Sequence, residues 1–195
     1  MLLNAYARNN ANDEGIYLPV TTPDISAMRE ASTPPAVLTG ATAPTLTNAG
    51  TALFAAGAAT TARLNFNVNL PSTLSTENVN PTTAKQGVRV KILVQVVRTG
   101  VANGALNFLC TLAAVDAVTG ATGTSVDIDT SIAATAGVYN LELVSDCDST
   151  LGLDVRDKLN VLMGVTTAHA ADTIEIRKVQ VEARCNMAPT DPAAR

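Results

Sequence analysis

A single histidine and a nearby aspartate are the first residues of this sequence that could do chemistry. His169 lies in the segment TTAHAAD, and Asp172 follows three residues later. An aspartate can orient a histidine that acts as a general base, but the base also needs a nucleophile, and the sequence has no G-x-S-x-G or comparable nucleophile turn. The pattern therefore indicates a histidine in a surface loop, and we predict no catalytic residue.

A group of aspartates could bind a hard cation such as Ca²⁺, which takes six to eight oxygen ligands. The candidates lie in one connection between predicted strands and are Asp146, Asp148, Asp154 and Asp157. Their spacing does not match the EF-hand loop, and acidic loops are commonly just solvated. We therefore predict no metal site and keep these four residues as the calcium candidates.

The cysteines are Cys110, Cys147 and Cys185, an odd number at wide spacings. This arrangement fits neither a disulfide framework nor a CxxC metal site. Cys147 lies between two aspartates, which disfavour the thiolate, whereas Cys110 and Cys185 fall on inward strand positions as small core residues. The glycines form no phosphate-binding motif. We predict reduced thiols and no cofactor.

The overall composition argues against several classes of partner. The net charge is −4, whereas nucleic acids and anionic lipids require clustered Lys and Arg. The N-terminus lacks the apolar core of a signal peptide, and no run approaches the roughly 20 apolar residues of a membrane span. We therefore expect a protein made and used without secretion. Aromatic residues are only 3% of the chain, which weighs against a glycan site because such sites usually use aromatic faces.

Seven segments after residue 62 alternate apolar and polar residues with a period of two, as half-buried strands do. The residues predicted to face inward are Leu64, Phe66, Val68 and Leu70; Val88, Val90, Ile92, Val94 and Val96; Leu106, Phe108, Cys110 and Leu112; Val126 and Ile128; Tyr139, Leu141 and Leu143; Leu159, Val161, Met163 and Val165; Ile174, Ile176, Val179, Val181 and Ala183. Arg98 is expected to face largely outward. About seven or eight short strands with almost no helix predict an all-β fold, an antiparallel β-sandwich of the jelly-roll type.

Three local features of these segments give sharper predictions. VANG, at residues 101–104, is expected to join the flanking strands into an antiparallel hairpin. Residues 151–167 also fit a helical spacing, but their glycines and their Val and Thr content favour a turn at Asp157-Lys158 followed by a strand. In the last segment the inward phase slips at Arg177-Lys178, which predicts a β-bulge.

The first 62 residues show no sustained alternation, and their prolines favour an extended path. Residues 32–62 contain no charged side chain, as suits a segment that is desolvated against another protein. We predict an extended, largely irregular arm over residues 1–62, a β-sandwich over 63–186 and a tail over 187–195. The apolar residues of the arm expected to contact a partner are Val37, Leu38, Leu46, Leu53 and Phe54.

The segment GVYNLELVSDCDSTLGLDVRDKLNVLMGVTTAHAADTIEIRKVQVEAR, residues 137–184, resembles the closing strands of jelly-roll modules in phage virion proteins and carbohydrate-binding domains. With its long N-terminal arm, the chain is similar to capsid cement, or decoration, proteins of tailed phages. The resemblance implies a structural virion protein, made in the host cytoplasm, that binds the major capsid protein on the capsid surface. It also implies a homo-oligomer, with a trimer favoured, whose arm lies across neighbouring capsid subunits.

Two other functions are compatible with the predicted sandwich. One is a glycan-binding or adhesive jelly-roll module of a virion fibre, and the other is a coat subunit that itself forms the shell. An enzyme ranks last because no catalytic constellation supports one. By the virion resemblance, the arm would bind by donating backbone hydrogen bonds to exposed sheet edges of the shell, while its leucines and Phe54 fill shallow pockets.

Overall fold

The computed structural model of the chain describes residues 16–21, 36–39, 44–70, 77–80, 85–87, 90–116, 118–145 and 157–185. These ranges contain strands and no helix. The strands are β1 (Ile16–Thr21), β2 (Ala36–Thr39), β3 (Thr45–Leu46), β4 (Ala52–Phe54), β5 (Arg63–Asn69), β6 (Glu77–Asn80), β7 (Lys85–Gly87), β8 (Val90–Thr99), β9 (Leu106–Val115), β10 (Val126–Ile132), β11 (Gly137–Val144), β12 (Lys158–Val165) and β13 (Thr173–Cys185). Within the same residues, no helix has the length and apolar character to cross a membrane.

Two antiparallel sheets form a β-sandwich, as predicted. The first sheet has the order β11-β8-β13-β4-β3, and β1 also pairs with β13. The second sheet has the order β10-β9-β12-β5-β2, and β6 and β7 pair only with each other among the described strands. Each sheet turns one apolar face inward, so the alternation along the strands fills the space between the sheets.

The core confirms the strand phases predicted from the alternation. The predicted inward residues whose side chains are described are buried, except that Val126, Ile128 and Tyr139 are half-buried against the same core. Val88 lies outside the described residues. The segment at Asp157-Lys158 leads into β12, whose inward residues Leu159 and Val161 are fully buried, so the strand interpretation of this segment is confirmed.

The slip of phase in β13 is a β-bulge, as predicted. Ile176 pairs with Val96 and Lys178 pairs with Gln95, so Arg177 is an extra residue that faces no partner on β8. Val179 and Val181 then return to the core. A bulge strengthens the local twist and redirects side chains, and here Arg177 and Lys178 are both exposed.

The predicted hairpin between β8 and β9 is wrong. β8 pairs with β11 and β13 in the first sheet, whereas β9 pairs with β10 and β12 in the second. The connection over residues 100–105 therefore crosses from one sheet to the other. A short loop can either join two strands of one sheet or cross between sheets. Here the backbone amides of Ala102 and Asn103 in the loop donate hydrogen bonds to Asp172, which favours the crossing.

The residues predicted as an arm contribute strands to both sheets. β1, β3 and β4 belong to the first sheet, and β2 pairs with β5 in the second. The sandwich is thus not confined to residues 63–186. These strands were missed because they have only two to six residues, which is too short for alternation to be recognised between prolines and glycines.

Candidate functional site

His169 is buried, although the sequence indicated a surface-loop position. Its side chain is 1% exposed, and Nδ1 lies 3.0 Å from the carbonyl oxygen of Thr167. Nε2 has no hydrogen-bond partner among the described residues. Asp172 does not orient this histidine, because its carboxylate is bound by other groups. His169 and Asp172 therefore do not form the histidine–aspartate pair of a catalytic triad.

Asp172 instead forms a buried ion pair with Arg98, which faces inward rather than outward as predicted. Both side chains are fully buried, and Arg98 Nη2 and Nε donate to Asp172 Oδ2, the latter over 3.1 Å. The guanidinium also donates to the carbonyl oxygens of Ala133 and Asn103, each at 2.6 Å. Arg98 thereby joins three loops at one end of the sandwich.

The carboxylate of Asp172 completes this cluster. Its Oδ1 and Oδ2 accept hydrogen bonds from the backbone amides of Ala102 at 3.1 Å and Asn103 at 3.3 Å. Burial alone raises the pKa of this carboxyl, but the hydrogen bonds from Arg98 and the two amides outweigh burial and hold the pKa below its ordinary value. These contacts fix the crossover loop between β8 and β9, which is a structural role.

The structure describes only some of the other candidates for chemistry. Asp146, Asp148 and Asp154 lie outside the described residues, as does Cys147, while Asp157 is half-buried. Over the part of the chain that the structure describes, no three His, Cys, Asp or Glu side chains come together as a metal site requires. Cys110 is confirmed as a core residue, and its burial raises the pKa of the thiol far above its ordinary value.

The five predicted partner-binding residues differ in their positions. Val37 and Leu38 lie in β2, paired with Asn65 and Leu64. Leu46 and Leu53 are half-buried, and Phe54 has no exposed surface. Phe54 is therefore part of this chain's own core, because the strand that carries it is paired with β13. It cannot fill a pocket on another protein while the sandwich is intact.

A groove lined by both polar and apolar side chains lies on the outer face of the first sheet. Its volume is about 290 Å³, and it runs over β11, β8 and β13. The residues that line it are Leu93, Val94, Gln95, Asn140, Leu141, Glu142, Lys178 and Gln180. Alternation along the three strands turns Gln95, Asn140 and Gln180 outward because their neighbours in sequence fill the core.

The strand register places the polar side chains of the groove in two adjacent rows. Asn140, Gln95 and Lys178 are direct neighbours across the three strands. The next row consists of Glu142, Leu93 and Gln180. Leu93 is half-buried and gives the second row an apolar centre.

Hydrogen bonds and an ion pair hold several of these side chains in place. Gln95 Nε2 donates to Asn140 Oδ1 over 3.2 Å, and Lys91 Nζ lies 3.0 Å from Glu142 Oε1. Gln180 Nε2 donates to Glu182 Oε1 over 2.8 Å. The groove thus presents amide oxygens and nitrogens that retain further hydrogen-bonding capacity, since an amide side chain offers two donors and an acceptor with two lone pairs.

The aromatic side chains described do not line this groove. Phe54, Phe66 and Phe108 are buried in the core. Tyr139 packs against the core, and its hydroxyl donates to the carbonyl oxygen of Thr135 over 2.6 Å. Aromatic residues and catalytic motifs in the sequence do not indicate this groove, because its polar side chains are mainly amides. The signal available was the row of outward amides on predicted strands.

The outer face of the second sheet also carries amide side chains that hydrogen-bond to one another. Asn160 Nδ2 donates to Asn65 Oδ1 over 2.8 Å and to Asn67 Oδ1 over 3.0 Å. Thr111 donates to Asp127 over 2.6 Å on the neighbouring strands. These cross-strand bonds stabilise the sheet. This face offers a control for changes made in the groove, because it carries the same residue types.

Comparisons with known proteins identify the fold. No protein-family model and no curated protein matches the sequence. The structure of the Clostridium thermocellum N-terminal endo-1,4-β-D-xylanase 10B, with CBM22-1 and GH10 modules complexed with xylohexaose, is similar with a TM-score of 0.53 and 13% identity. The similarity covers 88% of this chain and 29% of that chain. The chain therefore spans less than a third of that structure.

A second similar structure is the CBM22-1 xylan-binding domain of Paenibacillus barcinonensis Xyn10C, with a TM-score of 0.49 and 10% identity, over 88% of this chain and 97% of that chain. The likeness to the Clostridium structure supports a jelly-roll-like β-sandwich. That match covers 88% of this chain, which is more than residues 63–186 make up. It therefore includes part of the segment that was predicted as an arm.

Proposed function

We propose that this chain is a non-catalytic carbohydrate-binding module that holds a polysaccharide in the groove across β11, β8 and β13. The observation that carries the proposal is the row of Asn140 and Gln95, continued by Gln180 in the next row. Each sugar hydroxyl both donates and accepts hydrogen bonds, and amide side chains match both functions. The apolar side chain of Leu93 offers a surface for the CH groups of a sugar ring.

The groove contains too few acids for glycoside hydrolysis. That reaction uses a pair of carboxyl groups on either side of the scissile bond. Glu142 is the one carboxylate among the described residues that line the groove, and it forms an ion pair with Lys91. Binding by hydrogen bonds, without bond cleavage, is the function that these side chains support.

The comparison suggests which polysaccharide to examine first. The Clostridium structure contains xylohexaose, and its fold is similar to that of this chain. A β-1,4-linked xylan is accordingly the first ligand that we propose for the groove. Because the described aromatic side chains are not in the groove, the binding depends on hydrogen bonds and is expected to be weaker than binding by stacked aromatic platforms.

The virion function implied by the sequence resemblance rested on an arm free to lie on a capsid. β1, β2, β3 and β4 are instead paired within the sandwich. Packing within this chain therefore explains the uncharged segment that suggested capsid binding. The major capsid protein as partner, the trimer and the location on a virion stay predictions. The glycan-binding alternative is the one that the groove supports.

Calorimetric titration of the purified chain with xylohexaose tests the proposed function, and a panel of soluble xylan, mixed-linkage glucan and mannan tests its breadth. We expect saturable binding to at least one of these glycans. The double variant Gln95→Ala/Asn140→Ala should weaken it about tenfold or more, because each lost hydrogen bond contributes about 1 kcal/mol.

The matched control is Asn160→Ala, which removes an amide from the outer face of the second sheet. It should leave the affinity for glycan unchanged. A larger loss of affinity from Asn160→Ala than from the groove variant would place the glycan site on the second sheet instead. The absence of saturable binding across the panel would contradict the proposed function.

A further inference from the structure

Lys178 is a cation in the groove that has no acidic partner among the residues that the structure describes. Its side chain is exposed, and its ammonium forms no ion pair or hydrogen bond with any residue that the structure describes. The neighbouring cations on this face differ in this respect. Lys91 pairs with Glu142 at 3.0 Å, and Arg177 Nε lies 2.9 Å from Glu175 Oε2. Within the described part of the chain, the positive charge of Lys178 is therefore available at the groove.

The β-bulge accounts for the position of Lys178. Arg177 is the extra residue of β13, so Arg177 and Lys178 both reach the outer face, where regular alternation would turn one of them inward. Arg177 forms an ion pair away from the groove, while Lys178 is placed opposite Gln95 in the row that ends at Asn140. Bulges commonly redirect a side chain toward a binding site.

A lysine beside neutral amides is suited to an anionic sugar. The amides of Gln95 and Gln180 lie near Lys178 in the lining of the groove and can bind hydroxyls, whereas a carboxylate is the sugar substituent that an ammonium binds best. Glu142, the carboxylate of the groove, is neutralised by Lys91, which reduces the repulsion of an anionic ligand.

We propose that the groove binds an acidic polysaccharide, in which Lys178 pairs with the carboxylate of a uronic acid while the adjacent amides bind hydroxyls. This inference rests on the proposed function and specifies its ligand class. An exposed ion pair contributes modestly, so we expect a preference of about threefold to fivefold over the neutral sugar. The preference should decline with added salt, because an exposed pair is screened.

The experiment compares a glucuronic-acid-substituted xylo-oligosaccharide with the same oligosaccharide after chemical reduction of its carboxyl group. The two ligands differ only in the charged group, so any difference in affinity comes from the carboxylate. Titrations are carried out with the wild-type chain, with Lys178→Gln and with Lys158→Gln. Lys158 is an exposed lysine of β12 in the second sheet and serves as the matched control.

At low ionic strength, the wild type and Lys158→Gln should bind the acidic ligand about threefold to fivefold more tightly than the reduced one. Lys178→Gln should bind the two ligands with equal affinity, because the ammonium that distinguishes them is gone. Equal binding of both ligands by the wild type would overturn the acidic-ligand inference while leaving the proposed glycan-binding function intact. Failure of the wild type to bind either ligand, or any neutral glycan, would overturn both.

Discussion

Arg98 faces inward because the alternation that buries Val90 and Val96 continues to the end of β8. The charge is accommodated by Asp172 and by carbonyl oxygens of two loops. The sequence alone did not predict this position, since an arginine near a strand end is usually exposed. In the sequence Asp172 stands close to His169, but its partner in the structure is Arg98, 74 residues away.

Removing Arg98 should destabilise the protein strongly. Arg98→Met leaves the carboxylate of Asp172 buried without its cation, and breaking such a pair typically lowers the free energy of unfolding by about 3–5 kcal/mol. The double variant Arg98→Met/Asp172→Leu should recover part of the loss, because it removes the uncompensated charge. Urea denaturation of both variants and of Asp172→Leu forms a double-mutant cycle. Additive effects would contradict a coupled pair.

The same pair should make stability depend on pH under acidic conditions. The pKa of Asp172 is lower in the folded chain than its ordinary value, so the unfolded state binds more protons. The contribution of this group is thus fully present above about pH 4, near the pKa of an unfolded aspartate, and is lost as the pH falls toward the folded-state pKa.

Urea denaturation between pH 3 and pH 7 checks this dependence. The wild type should lose stability more steeply below about pH 4 than Arg98→Met/Asp172→Leu, which lacks the titrating group. Glu175 also has a lowered pKa, because Thr51 donates a hydrogen bond to it and Arg177 pairs with it. It remains in both proteins and therefore cancels in the comparison. Equal slopes would show that Asp172 is not responsible.

At the scale of elements, long strands were predictable and short ones were not. β8, β9 and β13 each carry ten or more residues, so their alternation fixes both the strand and its inward face. β3 and β4 have two and three residues, and their placement depends on pairing with β13, which is distant in sequence. Prediction of the groove likewise requires the order of β11, β8 and β13 in the sheet, and alternation within one strand does not give that order.

The bulge in β13 gives an element-scale prediction. Deleting Arg177 leaves Ile176, Lys178 and Val179 in regular alternation, so the inward residues stay inward and the fold should persist. Because the deletion straightens β13 and shifts Lys178, it should weaken glycan binding. Deleting Gln180 instead turns Glu182 inward, and a buried unpaired carboxylate should abolish the cooperative fold.

Circular dichroism during thermal unfolding, followed by titration with glycan, distinguishes the two deletions. The prediction requires a cooperative transition for the Arg177 deletion and none for the Gln180 deletion. Similar transitions in both proteins would mean that the register of β13 is not fixed by its inward face.

At the scale of the whole molecule, the neutral stretch over residues 32–62 lies, where the structure describes it, against this chain's own sheets. Phe54 and Ala52 are fully buried, and β2 pairs with β5. A side-chain carbon added at Gly164 would lie 2.5 Å from the carbonyl oxygen of Ala62 and 3.2 Å from the ring of Phe54. Charged side chains in this stretch would be costly to desolvate, and the surface that covers its described residues belongs to the same sandwich.

Removal of residues 1–62 should therefore prevent folding. The truncation deletes Phe54 from the core and leaves β13 and β5 without partners that they have in the full chain. We expect the truncated chain to lack a cooperative thermal transition and to aggregate, since unpaired strand edges promote association. Gel filtration and circular dichroism of the two chains, purified in parallel, measure both effects.

A milder pair of variants separates the core contact from the loss of a long segment. Phe54→Ala should lower the free energy of unfolding by about 3–5 kcal/mol, as truncation of a buried phenylalanine does. Leu53→Ala alters the half-buried neighbour in the same strand and should cost clearly less, because less surface is removed from the interior. If the truncated chain folds cooperatively and Phe54→Ala is no more damaging than Leu53→Ala, residues 1–62 are an accessory arm, and the domain begins at residue 63 as the alternation alone indicated.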